Sequence, residues 1–124
     1  MTAKKILVVD DEADLLKVML FRLNHTGYEA WGATDGREAL EAARQKMPDL
    51  MILDVYLPEM KGDEVARIFK KDSKLKNIPI ILISAETGTL ERRAWESGAD
   101  DYLAKGFEPE ELVAMVEKHI SPKE

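Results

Sequence analysis

The sequence predicts an α/β fold: a doubly wound parallel sheet with helices on both faces. Three observations carry that prediction. First, short apolar runs, too short for helices and bounded by proline or charge, recur along the chain and read as strands buried on both faces. Second, these runs alternate with amphipathic segments of helical period about five times, which implies parallel strands joined by crossover helices. Third, the runs end on polar side chains, namely Asp10, Asp11, Asp54, Ser84 and Lys105.

Composition sets the bounds. A chain of 124 residues is long enough for one domain that buries roughly two-thirds of the surface exposed when unfolded. With 45% hydrophobic and 34% charged residues it falls in the globular class, and no apolar run is long enough to span a bilayer. The start Met1–Lys5 shows no signal-peptide pattern. Absence of cysteine excludes disulfides, thiolate metal sites and thiol nucleophiles, and makes cytoplasm the expected compartment. A formal charge of −6 argues against direct binding of nucleic acid.

In chain order, Lys5–Val9 is the first strand, and residues 12–24 follow helical periodicity up to a stop at Gly27. Leu15, Val18, Met19 and Leu23 centre the apolar arc of that helix, with Leu20 and Phe21 at its margins. Residues 28–33 form a short edge strand, and Asp35-Gly36 turns into a helix over 37–46 with a narrow stripe of Ala39, Leu40 and Ala43. Leu50-Met51-Ile52-Leu53-Asp54 is the central strand. A helix follows over about 63–71, then the strand Ile80–Ile83 ending on Ser84. The helix at 90–97 stops at Gly98, and Tyr102-Leu103-Ala104 is the last strand, ending on Lys105. Pro109 and the acids around it start the final helix, as the helix dipole favours. The tail 121–124 is too short for a further module.

In a doubly wound sheet the C-terminal ends of the strands converge on one edge, where such sheets keep their ligands. The polar endings therefore form one site. Its three aspartates concentrate negative charge, and an all-oxygen set with an incomplete cage suits Mg²⁺. Lys105 adds a point cation and Ser84 a hydroxyl, both suited to phosphoryl oxygens. A carboxylate attacking phosphorus needs its charge screened and donors for the charge that develops. The set fits formation of an aspartyl phosphate.

The chain resembles the receiver domain of bacterial two-component response regulators over essentially its whole length. The resemblance rests on Asp10-Asp11, on Asp54-x-x-x-Pro58-x-x-x-Gly62, on Ser84-Ala85, on Gly98-Ala99-Asp100-Asp101-Tyr102-Leu103 and on Lys105. It implies a flavodoxin-like five-stranded sheet of order 2-1-3-4-5, with Asp54 as phospho-acceptor. Asp11, Asp54 and the backbone carbonyl of Tyr56 would bind Mg²⁺, with Asp10 acting mainly through water. Ser84 and Lys105 would hold the phosphoryl oxygens. Ser84 and Tyr102 would act as switch residues that alter the face of the fourth helix, fifth strand and fifth helix. The implied partners are a histidine kinase or histidine phosphotransfer protein, a downstream effector if the chain is a stand-alone regulator or a missing output domain if it is excised from a longer one, and a second copy in a phosphorylation-dependent dimer.

Plainer roles compete with these. Asp10, Asp11 and Asp14 can cap the first helix, and a lone lysine such as Lys105 is more often a solvated surface group. His25 and His119 read as ordinary surface or helix-end residues. Trp31 and Trp95 read first as packed side chains, with Trp95 also a candidate partner anchor. The excess apolar surface of the first helix suits either ordinary packing or docking to a kinase helix bundle.

The sequence departs from the family where Gly106 replaces the usual proline after the lysine, and a cis bond without proline costs about 2.5–4 kcal/mol. A trans peptide or a looser loop is therefore expected, with Lys105 still able to reach the phosphoryl group. Tyr56 and Glu86 occupy the positions that tune entry of hydrolytic water. Three rival functions remain. An aspartyl phosphatase would carry a second Asp at position 56. A flavin carrier would offer hydroxyls and backbone donors to a phosphate in its first loop, where Asp10-Asp11-Glu12 would repel one. A receiver-like module that no longer needs phosphate has only Gly106 in its favour.

Overall fold

Continuous apolar strands need cover on both faces, and the computed structural model, which describes residues 3–120, shows how they obtain it. The elements run β1 (Lys5–Val9), α1 (Ala13–His25), β2 (Glu29–Ala33), α2 (Gly36–Lys46), β3 (Leu50–Asp54), α3 (Gly62–Lys71), β4 (Ile80–Ser84), α4 (Leu90–Ser97), β5 (Asp101–Ala104) and α5 (Pro109–His119). All five strands are parallel, in the order β2-β1-β3-β4-β5. Each expected element is present, with its ends within a residue or two of the expected ones. The expected tail 121–124 and the first two residues lie outside the described range.

Alternate residues of each central strand feed opposite cores. Leu7, Val9, Met51, Leu53, Ile80 and Leu82 pack against α2, α3 and α4 through Ala39, Ala43, Val65, Phe69, Leu90 and Ala94. Ile6, Val8, Leu50, Ile52, Ile81 and Ile83 pack against α1 and α5 through Leu16, Met19, Leu23, Leu112 and Val116. On α1 the buried stripe is Leu16, Met19 and Leu23, so its centre differs from the expected one. Val18 is 54% exposed and Phe21, stacked on His25, is 64% exposed.

Local chemistry sets the helix ends. Asp35 accepts the Glu38 N–H at 2.8 Å at the start of α2, and α5 begins with Pro109 in its first turn and a capping box between Glu108 and Glu111. Gly98 ends α4 at φ +85°, where an L side chain would be strained.

The Gly98–Leu103 stretch is anchored by its two acids. Asp100 accepts from the Ile80 N–H and from Lys70 Nζ, tying the entry of β5 to β4 and α3. Asp101, nearly buried, takes Lys118 Nζ at 3.0 Å and His119 Nε2 at 2.8 Å from the end of α5. His119 is thus a helix-end residue, as expected, and its ring nitrogen bonds the Asp101 carboxylate.

Candidate functional site

Register alone brings the polar strand endings together. Val9 pairs with Leu53, so Asp10, the residue after β1, lies beside Asp54 at the end of β3. Asp54 pairs with Ile83, which sets Ser84 one step further on the neighbouring strand, and Ser84 pairs with Ala104, directly before Lys105. The strand order reverses direction between β1 and β3, so the two aspartates flank the crevice where doubly wound sheets bind their ligands.

Three of these groups are nearly removed from solvent: Asp10 is fully buried, Asp54 is 3% exposed and Ser84 is 1% exposed. Lys105 joins them. Its Nζ lies 3.0 Å from Asp54 Oδ2 and 3.2 Å from Asp10 Oδ2, and it also pairs with Glu12 Oε1. Carboxylate oxygens of Asp10, Glu12 and Asp54 all come within 4.8 Å of one another. Glu12 is an addition to the expected set, because a contact spanning 93 positions to Lys105 leaves no local mark in the sequence. Asp11 is exposed and stands outside this cluster.

Backbone turns fix the two buried acids. Asp10 Oδ1 accepts the Glu12 N–H at 2.9 Å, and Asp54 Oδ1 accepts the Tyr56 N–H at 3.3 Å. The β3–α3 loop folds back through Gly62, whose N–H donates to Val55 O at 2.7 Å. A Cβ at Gly62 would sit 2.1 Å from the Asp54 carbonyl oxygen, so the chain after the acceptor strand can return this closely only with glycine. Ser84 Oγ accepts the Glu86 N–H at 3.0 Å, which leaves its hydroxyl hydrogen to donate.

Among the described residues no peptide is cis, so the Lys105–Gly106 bond is trans, with Gly106 at φ +96°. Proline, fixed near φ −65°, could not take that conformation. Lys105 is instead tethered through its backbone, donating its N–H to Ser84 O at 2.9 Å.

Burial pushes the Asp10 carboxyl above the usual carboxylate range, and the charge of Asp54 adds to this against the Glu12 N–H and Lys105. Burial by itself would lower the Lys105 ammonium, but hydrogen bonds to Glu12 and Asp54 and the charges of Asp54 and Asp10 outweigh it. The ammonium is held above the ordinary lysine range. Three carboxylates thus face one cation. Asp10 Oδ2 is buried with no hydrogen bond, only the ion pair. A buried carboxylate oxygen held by one shared ammonium, in an all-oxygen acidic cluster, fits a hard divalent cation, which would supply further positive charge.

Tyr102 is partly buried against the α2–α4 core, its ring meeting Trp95 edge-on at 5.7 Å. Trp95 is both packed and 50% exposed. Trp31 packs against the same core, with Lys46 Nζ 4.8 Å from its ring centre.

A fold with this strand order and this acidic cleft beside a lysine defines a class, and the chain belongs to it: the response regulator receiver domain family, whose model matches residues 6–117. The DNA-binding response regulator MtrA of Mycobacterium leprae (strain TN) is 42% identical over 118 residues, covering 94% of this chain and 51% of MtrA. The alkaline phosphatase synthesis transcriptional regulatory protein PhoP of Bacillus subtilis (strain 168) is 40% identical over 114 residues, covering 91% of this chain and 47% of PhoP. The chain therefore spans about half the length of these curated relatives. Among solved structures, the chemotaxis response regulator CheY4 of Vibrio cholerae superposes with a TM-score of 0.90 at 34% identity, covering 96% of this chain and 100% of that one. The receiver domain of sensor histidine kinase PA1611 from Pseudomonas aeruginosa, solved with magnesium coordinated in its active-site cleft, matches with a TM-score of 0.86 at 27% identity, over 96% and 98% of the two chains. Phosphorylation on an aspartate and Mg²⁺ binding in the acidic site are general to this family. Among the described residues, no helix is long and apolar enough to cross a membrane.

Proposed function

We propose that this domain accepts a phosphoryl group on Asp54 from the phosphohistidine of a sensor kinase or histidine phosphotransfer protein. The observation that carries the reading is the buried Asp54 carboxylate with Lys105 Nζ 3.0 Å away and Asp10 alongside. An oxygen of Asp54 attacks phosphorus, the P–N bond to the donor imidazole breaks, and the imidazole leaves with the electron pair. Lys105 and the Ser84 hydroxyl hold the phosphoryl oxygens and stabilise the charge they gain. A bound Mg²⁺ would supply the positive charge that offsets repulsion between a carboxylate and a phosphoryl group. In this reading Asp11, Asp54 and the Tyr56 backbone carbonyl would hold the ion and Asp10 would act mainly through water, with Glu12 offering a further carboxylate at the edge.

The domain thereby catalyses its own phosphorylation and dephosphorylation without turning over another substrate. Ser84 and Tyr102 pass the new charge to the α4–β5–α5 face, which then changes its preference for an effector, an output domain or a second copy. The half-length match to MtrA and PhoP fits a receiver joined to an output domain, and the full-length match to CheY4 fits a free-standing regulator. DNA binding would belong to that other part, since this domain's own charge is −6.

Intact mass after incubation with acetyl phosphate tests the reading. A gain of one phosphoryl group is expected with Mg²⁺, none when the metal is chelated, and none in Asp54→Asn. An equal gain in Asp54→Asn, or one indifferent to Mg²⁺, would rule it out.

A further inference from the structure

Tyr56, two residues past the acceptor, is 41% exposed, yet its ring is not free. Lys61 Nζ lies 5.1 Å from its centre and Arg93 Cζ 5.6 Å, both within the range of cation–π attraction. Arg93 comes from α4, on a different part of the chain, and is itself held. Its Nη1 donates to Asp63 Oδ2 of α3 at 2.9 Å, and Asp63 is 5% exposed. Its Nε donates to Thr89 Oγ1 at 3.1 Å. Thr89 Oγ1 in turn donates to Glu86 Oε1 at 2.9 Å, and the Glu86 N–H binds Ser84 Oγ. One guanidinium therefore connects the loop after Asp54, the start of α3 and the loop after Ser84. Both positions expected to tune water access, Tyr56 and Glu86, meet on it.

We propose that Arg93 is a positioning residue that clamps the Tyr56 ring on the loop next to the phospho-acceptor, whose carboxylate bonds the Tyr56 N–H, and so lengthens the life of the aspartyl phosphate. The inference rests on the reading of Asp54 as phospho-acceptor and deepens it. Loss of the phosphoryl group requires water to attack phosphorus. The P–O bond to Asp54 breaks, the carboxylate is regenerated and inorganic phosphate leaves. A bulky ring fixed by two cations limits the approach of that water. Because Arg93 belongs to α4, any displacement of that helix also loosens the ring.

Removing Arg93 alone would strand the Asp63 carboxylate in a nearly buried position, which is destabilising in its own right. The test therefore pairs Arg93→Met with Asp63→Asn and uses Asp63→Asn as reference. Loss of the phosphoryl group should be roughly three- to fivefold faster in the pair than in the reference, the scale of one cation–π contact. In a Tyr56→Ala background the same pair should add nothing, which a merely structural role for Arg93 would not produce. An unchanged lifetime, or an equal acceleration with and without the tyrosine, overturns the proposal. NMR relaxation of the Tyr56 ring in the unphosphorylated protein gives a readout independent of the chemistry. Greater ring mobility in the paired variant is expected, and unchanged mobility also overturns the clamp. If the unaltered protein takes up no phosphoryl group, the phospho-acceptor reading fails, while the ring measurement still decides the clamp.

Discussion

Asp101 shows how much one carboxylate holds in this domain. Burial would raise its pKa, but His119, Lys118 and the Tyr102 N–H outweigh that and hold it below the usual carboxylate range. A depressed folded-state value means stability that is present above the unfolded value of about 3.9 and is lost as pH falls through the folded one. Asp101→Asn should therefore lower unfolding stability at pH 7 by about 1–3 kcal/mol. The gap to the unaltered protein should begin to narrow in urea titrations below about pH 4 and close only as pH falls through the lower folded-state value. A gap that stays constant down to acid pH would show that the charge contributes nothing. At this scale the sequence revealed the residues that sit on strand ends. Asp10, Asp54, Ser84 and Lys105 are legible because a polar side chain closing an apolar run has no packing role. Glu12 and Arg93 are not, since each acts through contacts made only after distant segments meet. Asp11 adjoins Asp10 in the chain, and adjacency alone does not tell that one carboxylate is exposed and the other buried.

Between elements, the turns that carry the site depend on glycine at two points. Gly62 lets the chain after β3 pass against the Asp54 carbonyl, and an added Cβ would meet backbone rather than a movable side chain. Gly62→Ala should cost about 1–3 kcal/mol or more and displace the Tyr56 N–H from Asp54. Thermal unfolding together with the amide shift of Tyr56 checks both; unchanged values would contradict the close approach. Gly106 is different, because nothing lies within 4 Å of its missing Cβ and only its φ of +96° restricts it. The expected trans peptide follows, and Lys105 still reaches Asp54 through its long stem. Helix α1 was the least legible element. Its sequence is apolar over a wide arc, and only packing against α5 and the sheet selects Leu16, Met19 and Leu23 as the inward stripe. Val18 and Phe21 remain outside as an exposed apolar pair.

For the whole molecule, sheet order does most of the work. Five parallel strands, the three central ones buried on both faces by alternating side chains, point their C-terminal ends the same way, and the reversal between β1 and β3 opens one cleft there. Asp10 and Asp54, far apart in the chain, become neighbours at 3.2 and 3.0 Å from the Lys105 ammonium. That convergence could be read from the sequence because alternation and strand polarity determine it. Which helix faces remain open for partners could not, since it depends on side-chain packing at α1 and α4. The central claim is that this cleft directs one phosphoryl group to one carboxylate. Borohydride reduction after phosphorylation tests it most directly, because an acyl phosphate is reduced to an alcohol and its aspartate then reads as homoserine. Peptide sequencing should find homoserine at position 54 and nowhere else. Homoserine at another acid, or a phosphoryl group that survives reduction intact on a different side chain, would contradict the account.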